Sequence, residues 1–131
     1  MNFDQYLKER AGPTMRDEER DLARKSNLTL DRHKMSKWTV WARTHAAARA
    51  FQRLPDVSKE QWSAFTKSVI EKVDTFDRLT KEKEFIFHSK QHDLGYVAAV
   101  DPVHSEVRII SVLEPGKTGI RKAGTTWVQL T

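Results

Sequence analysis

The fold of this chain is decided by the stretch from Ser58 to Phe76, which reads SKEQWSAFTKSVIEKVDTF. Its large apolar residues recur mostly at steps of three and four: Trp62, Phe65, Val69, Ile70, Val73 and Phe76. That spacing gathers them into one stripe and predicts an amphipathic helix from Ser58 to about Phe76. Ser58 and Gln61 have capping-box spacing, in which each side chain bonds the other residue's backbone N–H. An apolar stripe of this length needs a second layer to cover it.

Upstream of this helix the sequence predicts a strand and a shorter helix. Trp38–Ala42 reads WTVWA, a run of β-prone residues that alternates large and small,. We expect Thr44 to cap a helix from His45 to Leu54, because its hydroxyl can accept a backbone N–H of the first turn. Pro55 ends that helix, since it cannot continue the hydrogen-bond ladder.

Downstream, the pattern changes to strands. Four β-prone runs follow a charged connector, at residues 85–88, 95–100, 106–113 and 125–130,. The order β-α-α-β-β-β-β predicts an α+β fold. Because successive strands joined by short turns pair antiparallel, we expect a four- to five-stranded antiparallel sheet with both helices on one face.

Residues 1–36 differ in composition from the rest, with eight Lys or Arg and seven Asp or Glu before Ser36. A helix from Thr14 to about Lys25 is predicted there, with little apolar surface to bury. We interpret residues 1–36 as a charged N-terminal extension, helical or mobile, and residues 37–131 as the α+β domain. An arm that orders on contact with a partner is the alternative interpretation.

Composition narrows the class of protein. The 131 residues fit one domain and include no cysteine, which excludes a disulfide framework and a cysteine-ligated metal,. No apolar run is long enough for a membrane-spanning helix, and the first residues lack the pattern of a signal peptide, so we expect a cytoplasmic protein. A net charge of +5 favours an anionic partner, with nucleic acid first,.

One helical face carries the residues best suited to chemistry. His45, Arg49 and Arg53 are each four residues apart and share a face of the predicted helix,. At the helix start the positive end of the dipole favours a neutral imidazole, the form that a general base needs. Arginines beside it suit a phosphate and the charge that develops on it during attack by a ribose 2′-hydroxyl. A surface histidine beside a solvated basic face is the simpler alternative.

This layout resembles a known family. A strand leading into Thr-His-x-x-x-Arg-x-x-x-Arg, a second amphipathic helix and then an antiparallel sheet is similar to the RelE/RegB-like small endoribonucleases, across about residues 37–130,. The resemblance implies metal-independent RNA cleavage with functional roles for His45 and Arg49. The family places a second histidine in the following helix, where this chain has Lys67. Lys67 suits phosphate binding better than proton donation, so the general acid is open.

The strands offer two candidates for a replacement acid, either of which could protonate the leaving 5′ oxygen if this strand end lies beside the start of the helix. His88 ends the run 85–88, and His92 follows it; an ordinary sheet-edge histidine is the alternative for His88. The two have H-x3-H spacing, but without cysteine and with one adjacent carboxylate we expect no metal and no cofactor,.

The loop at 114–124 is a candidate for phosphate contact. It is not a P-loop, because that pattern needs a glycine five residues before Gly116, where Ser111 stands,. Its cations still suit backbone-phosphate contact, with a solvated loop as the alternative. Trp41 points opposite Trp38 on its strand, so we expect it to be exposed and to stack a base. The residues expected to bind RNA are Trp41, Arg43, Arg53, Lys117, Arg121 and Lys122.

Three functions are consistent with these features. The first is an endoribonuclease that cleaves single-stranded RNA to a cyclic phosphate, with His45, Arg49, Lys67 and His88 as candidate catalytic residues. The second is a non-catalytic regulator or inhibitor that binds RNA, DNA or a host protein with the same basic face. The third is an interaction protein that acts through residues 1–36. The partners expected are mRNA and, as alternatives, a host protein or the ribosome, as for a phage protein or a bacterial toxin.

Overall fold

Three helices and six strands make up the part of the chain that the computed structural model describes, residues 15–114 and 126–130. The helices are α1 (Met15–Lys25), α2 (Thr44–Arg53) and α3 (Lys59–Val73). The strands are β1 (His33–Met35), β2 (Trp38–Ala42), β3 (Lys83–Ser89), β4 (Leu94–Asp101), β5 (Glu106–Val112) and β6 (Thr126–Gln129). The predicted α+β class is confirmed. None of the described helices has the length and apolar character needed to cross a membrane.

The sheet is open and mixed, with the strand order β1-β2-β5-β4-β3-β6. The prediction of a purely antiparallel sheet of four to five strands is therefore wrong. β3, β4 and β5 form an antiparallel meander, but β2 pairs parallel with β5 and β6 pairs parallel with β3. A short turn forces the chain to reverse, whereas long connections allow a strand to enter in either direction. The connection after β2 contains both α2 and α3, and the connection before β6 spans residues 113–125. Both are therefore long enough for the strand to pair parallel with its neighbour.

The apolar stripe of α3 is buried against one face of the sheet, which we call the inner face. The rings of Phe65 and Tyr96 meet edge to face with centroids 5.0 Å apart, and Trp62 stacks on Tyr96 at 6.4 Å. The hydroxyl of Tyr96 donates to Thr66 Oγ1 at 3.1 Å. Burial raises the pKa of Tyr96 above its ordinary value,. The helix ends at Val73 rather than at Phe76, and Phe76 packs on Phe85 from the following turn.

The two predicted helix caps have different outcomes. The capping box of Ser58 and Gln61 is confirmed, with both reciprocal hydrogen bonds present. The prediction that Thr44 caps α2 is wrong, because Arg43 is the N-cap and Thr44 is already the first helical residue. Arg43 continues the extended backbone of β2, and its N–H donates to the carbonyl of Ile109 at 2.9 Å. Only Arg43 separates the strand from the helix, and its side chain makes no capping hydrogen bond.

The described part of residues 1–36 belongs to the same helical layer and the same sheet as the residues that follow it. α1 packs on α2 where Ala23 meets Ala47 and Ala48, and these small side chains allow a close approach of the two helices,. Leu28, in the connector after α1, is buried in the main core. β1 pairs antiparallel with β2 and forms an edge of the sheet.

The turn between β4 and β5 is held by one carboxylate. Asp101 Oδ1 accepts hydrogen bonds from the backbone N–H groups of Val103 and His104, and its Oδ2 lies 2.7 Å from His104 Nδ1. The hydrogen bond with His104 lowers the pKa of Asp101, and the same bond raises the pKa of His104. The pair is exposed, so solvent weakens its effect on stability.

The caps give a matched pair of substitutions. Ser58→Ala removes a side-chain acceptor from the first turn of α3 and should lower the free energy of unfolding by about 1 kcal/mol. Thr44→Ala removes no capping bond and should cost less than about 0.5 kcal/mol. Urea unfolding followed by circular dichroism measures both values. Equal losses in the two variants would contradict the assignment of the caps.

The hydrogen bond between Asp101 and His104 in the turn predicts how the side chain of His104 titrates. The side-chain NMR titration of His104 should have its midpoint above the ordinary histidine value of about 6.5, and Asp101→Asn should lower it. By linkage, the contribution of His104 to stability is fully present below its unfolded pKa and is lost as the pH rises through the folded value. Asp101 contributes above its unfolded pKa, and that part is lost as the pH falls through its depressed folded value. A His104 midpoint that Asp101→Asn leaves unchanged would rule out this pairing in solution.

Candidate functional site

His45 is the second residue of α2 and lies at the surface between two helices. Its side chain is 46% exposed, and its Nδ1 lies 2.7 Å from Oε1 of Glu19 on α1. An ionised carboxylate only accepts hydrogen bonds, so this contact places the proton on Nδ1. In the neutral ring, Nε2 then carries the free lone pair. A carboxylate that fixes the tautomer in this way is the usual partner of a histidine that acts as a base.

Arg49 and Arg53 share the face of α2 with His45 but have different roles. Arg49 lies one turn beyond His45, at a Cβ separation of about 6 Å for this spacing, and donates to Gln52 on its own helix,. Arg53 is anchored, because it donates to the carbonyl of Val112 at 2.9 Å and pairs with Glu114 at 3.3 Å. Arg53 therefore joins the end of α2 to the end of β5, and Arg49 is the guanidinium better placed to meet a ligand near His45.

Arg43 adds a second cation at the start of α2. It is exposed, and its guanidinium pairs with no carboxylate among the residues that the structure describes. The first turn of a helix has backbone N–H groups without helical acceptors and the positive end of the dipole, which together favour an anion. We call Glu19, Arg43, His45 and Arg49 the α1–α2 site.

Trp41 points away from the helices, as predicted from its alternation with Trp38. Trp38 is buried on the inner face, and its indole N–H donates to Asp74. The indole N–H of Trp41 donates to Glu106 on the outer face, and the guanidinium of Arg32 covers one side of the ring, 4.5 Å from its centroid. Trp41 is half-buried, so the expected fully exposed ring is not found, and Arg32 occupies one of the two sides on which a base could stack.

None of the three candidates for the general acid, His88, His92 and Lys67, has a described contact with His45; His92 lines a pocket with Gln61 of α3 and Ser89 of β3. Phe87 is buried on the inner face, so His88, the next residue of β3, points to the outer face,. His88 is 7% exposed there and meets the ring of Trp127 at 5.1 Å. Lys67 is exposed on the solvent side of α3, and no described contact joins it to α2. The helices carry His45 on the inner face, so the sheet separates it from His88.

The remaining predicted residues are Lys117, Arg121 and Lys122, which lie outside the described residues. Across residues 15–114 and 126–130, no group of three or more His, Cys, Asp or Glu side chains is arranged to hold a metal ion.

Glu19 is the site residue that sequence reasoning missed. It lies 26 positions before His45, on a helix interpreted as part of an extension. Its contact with His45 depends on the packing of α1 on α2, which the single Ala23 of α1 and the short alanine run of α2 do not predict. The sequence offered only the position of Glu19 one turn before Ala23 on a predicted helix. Many surface glutamates occupy such a position, so it did not predict the contact with His45.

Comparison of the chain with models of protein families, with curated proteins and with solved structures found no match.

The hydrogen bond between His45 and Glu19 predicts a measurable tautomer. At about pH 8, where an ordinary histidine is neutral, long-range ¹⁵N–¹H NMR should show His45 mainly as the Nδ1–H form. Glu19→Ala should shift the ring several-fold toward the Nε2–H form, because the acceptor is gone. Glu18→Ala, a change at the neighbouring exposed glutamate, is the matched control and should leave His45 unchanged. An Nε2–H form in the unmodified protein would contradict the contact.

Proposed function

We propose that this chain is a metal-independent endoribonuclease of single-stranded RNA, with His45 as general base. The observation that carries the proposal is the 2.7 Å contact between His45 Nδ1 and Glu19 on an exposed surface, with Arg49 on the same helical face. We also propose kinship with the RelE/RegB-like endoribonucleases, a resemblance that implies the same roles for His45 and Arg49.

The proposed reaction uses the ribose of the substrate as nucleophile. Nε2 of His45 takes the proton of a 2′-hydroxyl, and the 2′ oxygen forms a bond to the adjacent phosphorus. The bond from phosphorus to the 5′ oxygen of the next nucleotide breaks. The products are a 2′,3′-cyclic phosphate and a 5′-hydroxyl, which takes its proton from water or from the protonated His45. DNA has no 2′-hydroxyl and would not be cleaved.

Arg49 and Arg43 bind the phosphate in this scheme. Two guanidinium groups and the free N–H groups at the start of α2 are donors for the oxygens of a pentacoordinate phosphorane, where negative charge develops. Exposure of His45 leaves room for a flexible single strand. The net charge of +5 favours association with RNA,. A chain without cysteine suits the cytoplasm, where mRNA would be the substrate,.

One observation favours a second candidate, a regulator that binds RNA or a host protein without cleavage. Neither His88 nor Lys67 lies beside His45, and no described contact joins His92 to it, so no separate acid for the leaving oxygen is identified among the described residues. Under this alternative, the same cations bind phosphate and His45 is one polar contact among several.

Cleavage of labelled single-stranded RNA in EDTA tests the first proposal. The unmodified protein should release fragments with cyclic-phosphate ends, and His45→Ala should slow cleavage by about 10²- to 10⁴-fold, the usual contribution of a general base. Glu19→Ala should cost less, because it removes only the orientation of the ring. His104→Ala is the matched control, since His104 is exposed in the turn near the other end of β2.

The outcomes separate the two candidates. Cleavage that persists in His45→Ala rules out this residue as the base. Absence of cleavage, together with RNA binding that weakens in Arg43→Ala and Arg49→Ala and falls steeply with salt, supports the binding protein instead.

A further inference from the structure

A cavity of about 550 Å³ lies under the connector between α1 and β1, residues 26–31. We call it the connector cavity. The connector, both strands of the β1–β2 hairpin, β5 and the first half of α3 form its walls. Its apolar lining consists of Ala23, Leu28, Leu30, Met35, Val40, Trp62 and Ile109. The volume lies within the usual range for small-molecule sites, and the wall contains no residue of the α1–α2 site,.

Two buried polar groups on α3 line the connector cavity. Trp62 is 2% exposed and Thr66 is 4% exposed, and the two are four residues apart on one face of the helix,. Among the described residues, the indole N–H of Trp62 has no acceptor, and its ring contacts are with Phe65 and Tyr96. Thr66 Oγ1 accepts from Tyr96, and its own O–H has no acceptor in the described part of the chain.

Trp62 and Thr66 both line the connector cavity, and neither donor is used by another described residue. Both can therefore donate to a ligand that brings acceptor oxygens. The apolar walls favour a ring as the rest of that ligand.

The charged residues around the connector cavity set the charge of the ligand. Arg24 and Lys59 are permanent cations, and His33 adds a titratable one; Asp31 is the one carboxylate among the lining residues. Arg24 is partly neutralised by Asp21 at 3.8 Å, whereas Lys59 has no ion-pair partner in the described ranges. Lys59 lies on the same face of α3 as Trp62 and Ser63. The balance favours an anion.

We propose that the connector cavity binds a small aromatic carboxylate. The ring packs between Leu28, Met35 and Ile109. The carboxylate oxygens accept from the Trp62 N–H and the Thr66 O–H, and Lys59 balances the charge. This site is independent of the proposed function, since it uses neither His45 nor RNA.

The probe for this site is 2-naphthoate, with the neutral 2-naphthamide as matched ligand. Titration of the ¹⁵N-labelled protein with 2-naphthoate should move the indole N–H resonance of Trp62 in a saturable way, with Trp62→Phe used to assign it. Lys59→Gln should weaken 2-naphthoate roughly two- to fivefold, the range for an exposed charge, and leave 2-naphthamide unchanged. Lys67→Gln, on the same helix outside the cavity, is the matched control and should alter neither ligand.

Filling the cavity is the second arm of the test. Ser63 is exposed at the rim of the connector cavity, so Ser63→Trp should fold and abolish binding of both ligands. A Trp62 resonance that stays fixed at millimolar 2-naphthoate overturns the proposal, even if Ser63→Trp does not fold. Unchanged affinity in a folded Ser63→Trp protein overturns it as well. Equal weakening in Lys59→Gln and Lys67→Gln would show a general charge effect in place of the proposed contact.

Discussion

The burial of Tyr96 beneath α3 is the contact on which the rest of the structure depends. β4 is an interior strand of the sheet, and the ring of Tyr96 lies against Trp62 and Phe65 with its hydroxyl bonded to Thr66. Truncation of a buried aromatic residue typically costs about 3–5 kcal/mol. A domain has a total stability of about 5–15 kcal/mol, so this one contact is a large part of it. The hydrogen bond to Thr66 satisfies the hydroxyl that burial removes from water.

The packing of α3 on the meander of β3, β4 and β5 also constrains where the preceding segments, α1 to α2, lie. β2 pairs with the edge of the meander at β5, and β6 pairs with the opposite edge at β3. Arg43, the residue between β2 and α2, donates its N–H to the carbonyl of Ile109 on β5 and so fixes the start of α2 beside the sheet. α1 then packs on α2 at the alanine contact and brings Glu19 to His45. The α1–α2 site therefore exists because three separate segments of the chain meet at one helix start.

The two faces of the sheet carry different kinds of side chain. Apolar side chains fill the inner face, whereas several polar groups of the outer face bind one another. Glu106 accepts from Trp41 and lies 3.6 Å from Arg32, and Glu82 accepts from Arg108 at 2.8 Å. Groups paired in this way give up those partners when they bind a ligand. In the α1–α2 site, Arg43 pairs with no carboxylate among the described residues, and Lys59 beside the connector cavity has no ion-pair partner in the same part of the chain.

The sequence by itself determined the local elements. The spacing of Trp62 to Val73, the capping box at Ser58 and the β-prone runs on either side all reflect interactions over a few residues, which local sequence encodes directly. It also determined which side of its strand Trp41 occupies, since alternation along a strand is a local property. Only the tertiary structure decided the parallel pairings of β2 and β6, the separation of His88 from His45 and the partner of His45. Those features depend on which distant segments pack together, and that choice is made by the summed burial of many side chains, which no local spacing in the chain records.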